Sequence, residues 1–421
     1  MDFTGKKLLI LCGNVVHIKV VEAAKAMGVY TIVTDTLPLE AAPAKQIADE
    51  ALYLNVLDVE GIVRYCRDNH VDGVINYCND IGQRPHQQIC QQLGLPCYGN
   101  EEQFFQLTDK NAFKALCRRW GVDVIAQYAE EDIEQDRVEY PVLVKPAVSR
   151  GSRGQAICDN KEQLLAALPG AKQASSNGCA LIERYMAGKQ DFTISCVLQD
   201  GEVYPVRVSD RYLGRPEDNL SKQCICTVSP SKYADLYMQK VHDKVSNMFR
   251  GMGLVNAPVF LQGFVDGETI RFYDPGLRFP GGEYDQLLLK ATGLNMMQAM
   301  IALALGEKCH YSPVELENAF MLNGYAALQM CITVAAGTIG TICGMDQIRA
   351  LPEVVAVTQR LFVGDRVENT GDVKQRFCEI ALVAKAEQAK SVVGRIRKLL
   401  TVTDTQGVNM LVSPFDPELI S

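Results

Sequence analysis

The sequence predicts an α/β protein with a parallel sheet first, a mixed α+β region in the middle and a small strand-rich part at the end. Three observations support this prediction. From residue 7 to residue 100, strand-like apolar runs alternate with amphipathic helical segments, which is typical of parallel strands joined by helices. Asp-Gly pairs at 200–201 and 266–267 separate alternating apolar segments and predict hairpins. After residue 330, strand-like segments are separated by glycine-containing turn signals.

The first predicted unit covers residues 1–107. Its strands are KLLILCG, VYTIVTD and DGVINYC, and its helices are HIKVVEAAKAMG, GIVRYCRDNH and RPHQQICQQLG. This alternation implies parallel strands with right-handed crossovers, so the unit is Rossmann-like in architecture. The turn after the first strand, CGNVVH, lacks the GxGxxG pattern of dinucleotide sites. A dinucleotide cofactor is therefore not expected.

The second predicted unit covers residues 108–310, with a smaller lobe at about 123–186, and the third covers 311–421. A helix, TDKNAFKALCRRWG, opens the second unit with Thr108 or Asp109 as its cap. Strands VLVKP and CALIERYM then flank the helix KEQLLAAL, and two hairpins follow with the helix KYADLYMQKVHDKVSNMFRGMG between them. The third unit is expected to complete the second and to add a small β-rich domain.

Composition limits the classes of function. A net charge of −8 argues against a binder of the nucleic-acid backbone. The longest apolar run, residues 296–305, contains Gln298 and is too short for a membrane span. The 15 cysteines are scattered and form no CxxC pair, so we expect buried thiols in a reducing compartment rather than disulfides. A cytoplasmic enzyme without nucleic-acid or membrane partners is the resulting expectation.

Residues 140–157, YPVLVKPAVSRGSRGQAI, carry the clearest chemical signal. Lys145 lies inside a run of Val and Leu, and a buried ammonium needs an anionic partner. Directly after it, SRGSRG offers backbone N–H groups that can converge on phosphate oxygens, with Ser149, Gly151, Ser152 and Gly154 as candidate contacts. The alternative is an ordinary hairpin loop with exposed arginines. A strand lysine beside such a loop favours a polyphosphate ligand.

At this point the order of the motifs resembles the ATP-grasp superfamily of carboxylate–amine ligases, in the branch of biotin carboxylase, carbamoyl-phosphate synthase and glycinamide ribonucleotide synthetase. The resemblance implies that Lys110 of TDK and Lys145 contact ATP phosphates and that SRGSRG closes over them. Without that context, Lys110 is only a surface lysine in a first helical turn. In IERYMAGKQDF, Glu183 would accept from the adenine amino group and the Tyr185 and Met186 backbone would complete the contact.

The same resemblance places further contacts, with departures from the family pattern. Asp191 stands where the family usually has a ribose-binding glutamate. In FLQGFVDGETIRFYDPGLRFPGG, Gln262 and Asp274 take the metal-ligand positions, and Gly276 replaces the usual asparagine. One carboxylate remains, which suffices for Mg²⁺ (or Mn²⁺) held together with substrate phosphates. Arg278 would stabilise the transferred phosphoryl group; its alternative is a structural ion pair.

Substrate contacts are harder to assign. Arg207, Arg211, Arg215 and Lys222 lie in or beside the polar segment SDRYLGRPEDNLSKQ and are candidates for a carboxylate, with solvated surface charge as the alternative. Asp285 is a candidate second metal contact or an exposed polar group. His17 follows the first strand, at the edge where open α/β sheets bind ligands.

Three functions remain open. The first is an ATP-dependent ligase that converts a carboxylate to an acyl phosphate and passes it to an amine, acting on small molecules, with a homodimer implied by the relatives. The second is a nucleotide-binding protein with reduced catalysis and a regulatory role, motivated by Gln262 and Gly276. The third is a carboxylase using bicarbonate; the chain has no Met-Lys-Met attachment site, so biotin would need a separate carrier.

Overall fold

The structure is a computed structural model that describes residues 1–147, 154–175, 177–308 and 310–420. The first unit is a parallel sheet in the order β3-β2-β1-β4, with helices on its faces. Its elements in chain order are β1 (Lys7–Leu11), α1 (Ile18–Ala26), β2 (Tyr30–Thr34), α2 (Pro43–Ile47), β3 (Glu50–Leu52), α3 (Val59–Asp68), β4 (Gly73–Ile75), α4 (Gln83–Leu93) and α5 (Glu101–Gln106).

Helix α6 (Lys110–Arg119) leads into a small lobe with an antiparallel sheet in the order β5-β8-β6-β7. Asp109 caps α6, because its side chain accepts hydrogen bonds from the backbone N–H groups of Asn111 and Ala112. The lobe contains β5 (Gln127–Tyr128), α7 (Glu130–Glu134), β6 (Val142–Pro146), β7 (Ala156–Cys158), α8 (Lys161–Gln173) and β8 (Ala180–Arg184).

The largest sheet has nine strands and forms the middle of the molecule. The chain segment that forms its first part contains strands and helices in this order: β9 (Asp191–Gln199), β10 (Glu202–Leu213), β11 (Cys224–Ser229), α9 (Ala234–Leu236), α10 (His242–Gly251), β12 (Ala257–Asp266), β13 (Thr269–Gly276), α11 (Tyr284–Thr292) and α12 (Met296–Ala304). A π-helical segment, Tyr237–Val241, joins α9 to α10. The strands of this part pair in the order β13-β12-β9-β10-β11.

The C-terminal strands extend the same sheet and add a small second one. The elements are α13 (Pro313–Ala319), β14 (Tyr325–Val334), β15 (Gly337–Cys343), α14 (Met345–Arg349), β16 (Val354–Gln359), β17 (Arg366–Val367), β18 (Arg376–Lys385), α15 (Ala389–Leu399), β19 (Thr401–Asp404) and β20 (Leu411–Val412). Strands β14, β18 and β16 continue outward from β11, and β17-β15-β19 form the separate sheet. The predicted α/β class, with its parallel first unit and strand-rich end, is confirmed.

Both predicted hairpins occur where the Asp-Gly pairs indicated. Asp200 and Gly201 have φ of 51° and 86°, and they join β9 to β10. Gly267, at φ 64°, lies between β12 and β13. The first turn has positive φ at both central residues, which suits the right-handed twist of its strands and which Asp and Gly tolerate. In the second hairpin Asp266 ends β12 and pairs with Thr269, so Gly267 and Glu268 are the central residues and only Gly267 has positive φ.

One apolar core joins the first unit to the large sheet. It packs Val20 and Val21 of α1 with Ile301 of α12 and with Phe192 and Leu261 of the sheet. Among the described residues, no single helix is long and apolar enough to cross a bilayer; α11 and α12 meet the length and hydropathy requirement only as a pair bent by 118°.

A buried ionic group also joins the two parts. Lys19 of α1 donates to Asp285 at 2.6 Å, to Glu283 at 3.0 Å and to the carbonyl oxygen of Gly282 at 2.7 Å. Tyr77 adds a hydrogen bond to Asp285 at 2.8 Å. Asp285 is therefore neither exposed nor free for a metal: its carboxylate is 7% exposed and bound to the first unit.

Candidate functional site

One face of the large sheet is polar where it lies near the small lobe. Directly opposite residues on antiparallel strands point to the same side, and the register places Gln262 beside Thr193 and Thr193 beside Ser209. Ser209 in turn shares a 2.5 Å hydrogen bond with Ser229. A polar row thus crosses four strands. The opposite face carries Phe192 and other core residues.

An irregularity in the pairing of β12 with β13 shapes the end of this row. Gln262 pairs with Asp274, whereas the next residue, Gly263, pairs with Phe272, so Tyr273 is the extra residue on β13. Such a bulge changes the direction of the local side chains. The hydroxyl of Tyr273 reaches the polar face and lies 3.4 Å from Gln262 Oε1.

Asp191 lies on the same face but is already engaged. Arg211 donates to its carboxylate at 2.6 Å, and Tyr273 donates at 3.3 Å. Burial raises the pKa of Asp191 to about 6, against the lowering effect of Arg211. The carboxylate expected to contact the ribose is thus paired with an arginine in this structure, and the ribose contact stays a prediction.

The small lobe contributes a buried group of two lysines and one glutamate. Lys145 and Glu183 lie diagonally on one face of the β6–β8 pair, and the other face packs Val142, Val144 and Ile182 into the lobe's core. Glu183 accepts from Lys145 at 2.5 Å and from Lys114 of α6 at 2.5 Å. The two lysines hold one carboxylate oxygen each.

The electrostatics of this group are set by burial and by the two cations. Burial acts to raise the pKa of Glu183, but Lys145 and Lys114 outweigh it and lower that pKa to about 2. Burial lowers the pKa of Lys114, with Glu183 opposing it. The carboxylate of Glu183, expected to accept from the adenine amino group, is thus held by two lysines in this structure, and the adenine contact stays a prediction. The anionic partner expected for Lys145 is, in the first instance, this glutamate.

Lys110 connects the lysine group to the sheet. It lies one helical turn before Lys114 on α6, and its ammonium is 3.7 Å from Asp274 Oδ1. Asp274 keeps 35% of its side chain exposed. The structure thus brings together Lys110, Lys114 and Lys145 with Gln262 and Asp274, which come from three separate segments of the chain.

Part of the glycine-rich loop lies outside the described residues, including Ser149, Gly151 and Ser152. Gly154 is described, with φ 68°, and a Cβ there would lie 2.8 Å from Ala174 Cβ and 2.9 Å from Pro146 Cγ. Glycine is thus required at this position both by conformation and by space. Tyr185 and Met186 follow β8 directly, where Tyr185 N donates to the carbonyl oxygen of Pro141 at 2.9 Å.

The contacts of Arg278 and Gly276 bear on the roles predicted for the β13 motif. Arg278 is in an ion pair: it donates to Asp80 of the first unit at 2.6 Å and lies over the Phe260 ring at 4.7 Å. Arg278 therefore forms the ion pair that was the alternative to its predicted role in phosphoryl transfer. The side chain of Asp80 in this pair is 69% exposed to solvent. At Gly276 a Cβ would lie 2.0 Å from the Phe260 ring, so the family's asparagine has no room here.

The four basic residues predicted as candidates for binding a substrate carboxylate differ in their partners. Arg211 is paired with Asp191, and Lys222 donates to the carbonyl oxygen of Gln155 at 2.9 Å. Arg207 is buried, donates to the hydroxyls of Ser229 and Thr227 at 2.9 Å each, and has no acidic partner among the described residues. The backbone N–H of Arg215 donates to Ser413 Oγ at 2.9 Å, and its carbonyl oxygen accepts from the backbone N–H of Leu220 at 3.1 Å.

His17 is fully buried, and burial lowers its pKa to about 4. Its Nδ1 lies 2.8 Å from Asn14 Oδ1, and Nε2 has no partner in the described part of the chain. A neutral imidazole is therefore held at the edge of the first sheet.

Sequence reasoning missed Lys114, Tyr273 and Asp80. Lys114 carried a usable signal, since it lies four residues after Lys110 on the same helical face. Tyr273 reaches the site only through the bulge, and Asp80 lies 198 residues from its partner Arg278. The pattern of neighbouring residues in the sequence indicates neither the bulge nor this long-range ion pair.

Comparisons with known proteins agree with this architecture. The family model for the ATP binding domain of the carbamoyl-phosphate synthase L chain matches residues 109–311. The 2-oxoglutarate carboxylase small subunit of Hydrogenobacter thermophilus is 22% identical over 341 residues, 76% of this chain and 70% of that protein. The chain spans 66–70% of the length of three of the curated relatives that it matches, including this one.

Solved structures show the same fold. L-amino acid ligase from Bacillus licheniformis has a TM-score of 0.76 at 17% identity, covering 95% of this chain and 99% of that one. The biotin carboxylase domain of the Hydrogenobacter enzyme, solved as a dimer with MgADP and bicarbonate, has a TM-score of 0.73 at 20% identity, covering 96% and 91%. The resemblance to ATP-grasp enzymes seen in the motifs is confirmed for residues 109–311, and the solved structures show the same fold over nearly the whole chain.

Proposed function

We propose that this protein is an ATP-dependent ligase that activates a carboxylate as an acyl phosphate and joins it to an amine. The observation that carries the proposal is the convergence of Lys110, Lys114 and Lys145 with Asp274 and Gln262. Cations beside oxygen ligands are what a polyphosphate with its divalent ion requires. Gly154, in the described part of the loop, lies against Pro146, the residue that follows Lys145.

The residues present fit one Mg²⁺. Asp274 would supply a carboxylate oxygen and Gln262 an amide oxygen, and Mg²⁺ takes such ligands while substrate phosphates and water complete its shell. When bound, the ion would neutralise charge on the phosphates. The fit does not extend to a second protein carboxylate, because Asp285 is bound to Lys19 and Gly276 has no space for a side chain.

In the proposed reaction, a carboxylate oxygen of the substrate attacks the γ-phosphorus of ATP. The bond from that phosphorus to the bridging oxygen breaks, and ADP leaves with the electron pair. The amine then attacks the acyl carbon, phosphate leaves, and the amine loses a proton. Lys145 and Lys110 would position the phosphates, and Tyr185 and Met186 would meet the adenine through their backbone. Arg278 would reach the phosphoryl group after leaving Asp80, which is exposed enough to be hydrated.

We further propose Arg207 as the receptor of the substrate carboxylate. A buried guanidinium with only neutral partners keeps the capacity to pair with an anion. It lies on the same sheet face as Arg211, with Ser209 between them along β10. Amino acids are natural substrates for such a site, and a homodimer fits the state of the Hydrogenobacter relative.

ADP release tests this function directly. The full chain with MgATP is expected to release ADP when amino acids are supplied in pairs, because both a carboxylate and an amine are needed. Arg207→Met should lose this release while ADP still raises the melting temperature, since nucleotide stabilises the fold by mass action. Release driven by bicarbonate alone would favour the carboxylase function. The ligase proposal fails if neither condition releases ADP, and the role of Arg207 fails if the variant behaves as the natural protein.

Gln262→Glu tests the metal position. A carboxylate beside Asp274 binds Mg²⁺ more strongly than an amide, so the Mg²⁺ concentration for half of the full ADP-induced stabilisation should fall severalfold. The control is Gln239→Glu, which adds the same charge at an exposed position. An unchanged Mg²⁺ dependence would place the ion elsewhere. If only Gln262→Glu releases ADP, the regulatory function with reduced catalysis is preferred.

A further inference from the structure

A second group of ligand-type side chains lies in the first unit, within the fold's core. His86 and Cys90 are four residues apart on α4, so they share one face of that helix. Cys97 follows in the segment after the helix. One potential ligand atom from each of these three residues lies within 4.8 Å of the other two. All three belong to a region that the proposed ligase chemistry does not use.

The histidine is held in a defined orientation. His86 is 1% exposed, and its Nε2 lies 3.0 Å from the carbonyl oxygen of Val74. A carbonyl oxygen only accepts hydrogen bonds, so Nε2 carries the proton and Nδ1 carries a lone pair. Nδ1 is buried and has no partner in the described chain. An unpaired buried acceptor is costly, and metal-binding histidines are typically fixed by a hydrogen bond from the other ring nitrogen in this manner.

The sulfur atoms are suited to the same ligand. Cys90 is buried and Cys97 is partly buried, and their ligand atoms lie within 4.8 Å of each other and of the histidine. Thiolate sulfur is a soft ligand that Zn²⁺ binds readily. A small cavity adjoins the group, lined by His86, Cys97, Tyr98 and Met300 among others. The Tyr98 hydroxyl also lacks a partner in the described chain.

We propose that His86 Nδ1 and the sulfurs of Cys90 and Cys97 bind a thiophilic cation, Zn²⁺, whose fourth position is open to the cavity. One imidazole nitrogen and two thiolates are ligands that Zn²⁺ prefers and Mg²⁺ does not. Binding removes the protons of both thiols, which leave to solvent, and no oxidation occurs. The ion would tie α4 to the segment that follows it.

Cobalt substitution and zinc competition on the full-length reduced protein test the site. We expect one equivalent of Co²⁺ to give a thiolate-to-metal absorption band that Zn²⁺ abolishes. Cys90→Ser and Cys97→Ser should lose this band, and His86→Gln should weaken Zn²⁺ binding at least about tenfold. Cys66→Ala is the matched control: Cys66 is a buried cysteine of the same unit that lies outside the group, and this variant should bind as the natural protein does.

Thermal unfolding separates this site from the ATP site. Zn²⁺ should raise the melting temperature of the natural protein and of Cys66→Ala, but not that of Cys97→Ser. Retained stabilisation by MgADP in Cys97→Ser would show that the variant is folded. The proposal is overturned if the reduced natural protein binds neither metal, or if Cys90→Ser and Cys97→Ser bind Zn²⁺ as tightly as the control. A Cys90–Cys97 disulfide in the isolated protein, with no metal bound after reduction, would likewise overturn it.

Discussion

Replacing Lys145 with methionine is expected to weaken binding of ATP and ADP by roughly ten- to hundredfold, the effect of losing one charge-assisted hydrogen bond to phosphate. The stem of the side chain keeps its packing, because methionine is of similar length and unbranched. Lys145 is 6% exposed and is fixed on β6 by Glu183. A lysine held in this way has lost its conformational freedom before the nucleotide arrives, so its contribution to binding should be large. Isothermal titration with ADP, with and without Mg²⁺, measures the loss.

Lys161→Met is the matched control. Lys161 begins α8 in the same lobe, and its ion pair with Asp136 is exposed, with the lysine side chain 43% accessible. Exposed pairs contribute little, so ADP affinity should stay within about twofold. Equal affinities in Lys145→Met and the natural protein would remove Lys145 from the nucleotide site, whatever the variant's stability.

Replacing Glu183 with glutamine is expected to cost about 3–5 kcal/mol of unfolding free energy, because two buried ammonium groups then lose their common counter-charge. Glu183 is 2% exposed, Lys114 fully buried and Lys145 6% exposed. Glutamine keeps the size and one acceptor oxygen, so the change isolates the charge. Urea unfolding at neutral pH measures the cost.

The same carboxylate predicts a pH dependence. Its pKa is about 2 in the folded protein against an ordinary 4.5, so its contribution to stability is present above pH 4.5 and is lost as the pH falls toward 2. The lowering corresponds to roughly 3 kcal/mol. The difference in stability between the natural protein and Glu183→Gln should therefore narrow below pH 4.5. A difference that is constant down to pH 3 would contradict the assigned charge.

Glu130→Gln provides the control for both measurements. Glu130 pairs with Lys172 in the same lobe, but the side chains are 55% and 38% exposed. Its loss should change the unfolding free energy by less than about 1 kcal/mol at neutral pH. A comparable loss in both variants would mean that burial of the Glu183 group is not what stabilises the lobe.

Much of the fold was predictable because its signals are local. The alternation of apolar runs and amphipathic helices in residues 7–100 requires only the spacing of neighbouring residues. The turns signalled by Asp-Gly at 200–201 and 266–267 likewise depend on the positive φ that Asp200, Gly201 and Gly267 tolerate. The cap at Asp109 is a contact over two and three residues. Each of these predictions is confirmed at the expected positions.

The candidate site was predictable only in its residue types. The sequence alone led to Lys110, Lys145, Glu183 and Asp274 as one group, through the order of the motifs. It did not contain the pairing of Glu183 with lysines 38 and 69 residues away. It also did not show why residue 276 is glycine: a Cβ there would lie 2.0 Å from the Phe260 ring.

The sequence by itself therefore determined the class of fold, the order of its elements, the resemblance of residues 109–311 to ATP-grasp enzymes and the need of Lys145 for an anion. The tertiary structure decided that Glu183 is the anion paired with Lys145. It also paired Asp191 with Arg211 and Arg278 with Asp80, and it left Arg207 without an acidic partner among the described residues. The physical reason is that apolar periodicity and turn geometry act between neighbours along the chain, whereas a buried charge is stabilised by whichever opposite charge the folded chain brings within a few ångströms.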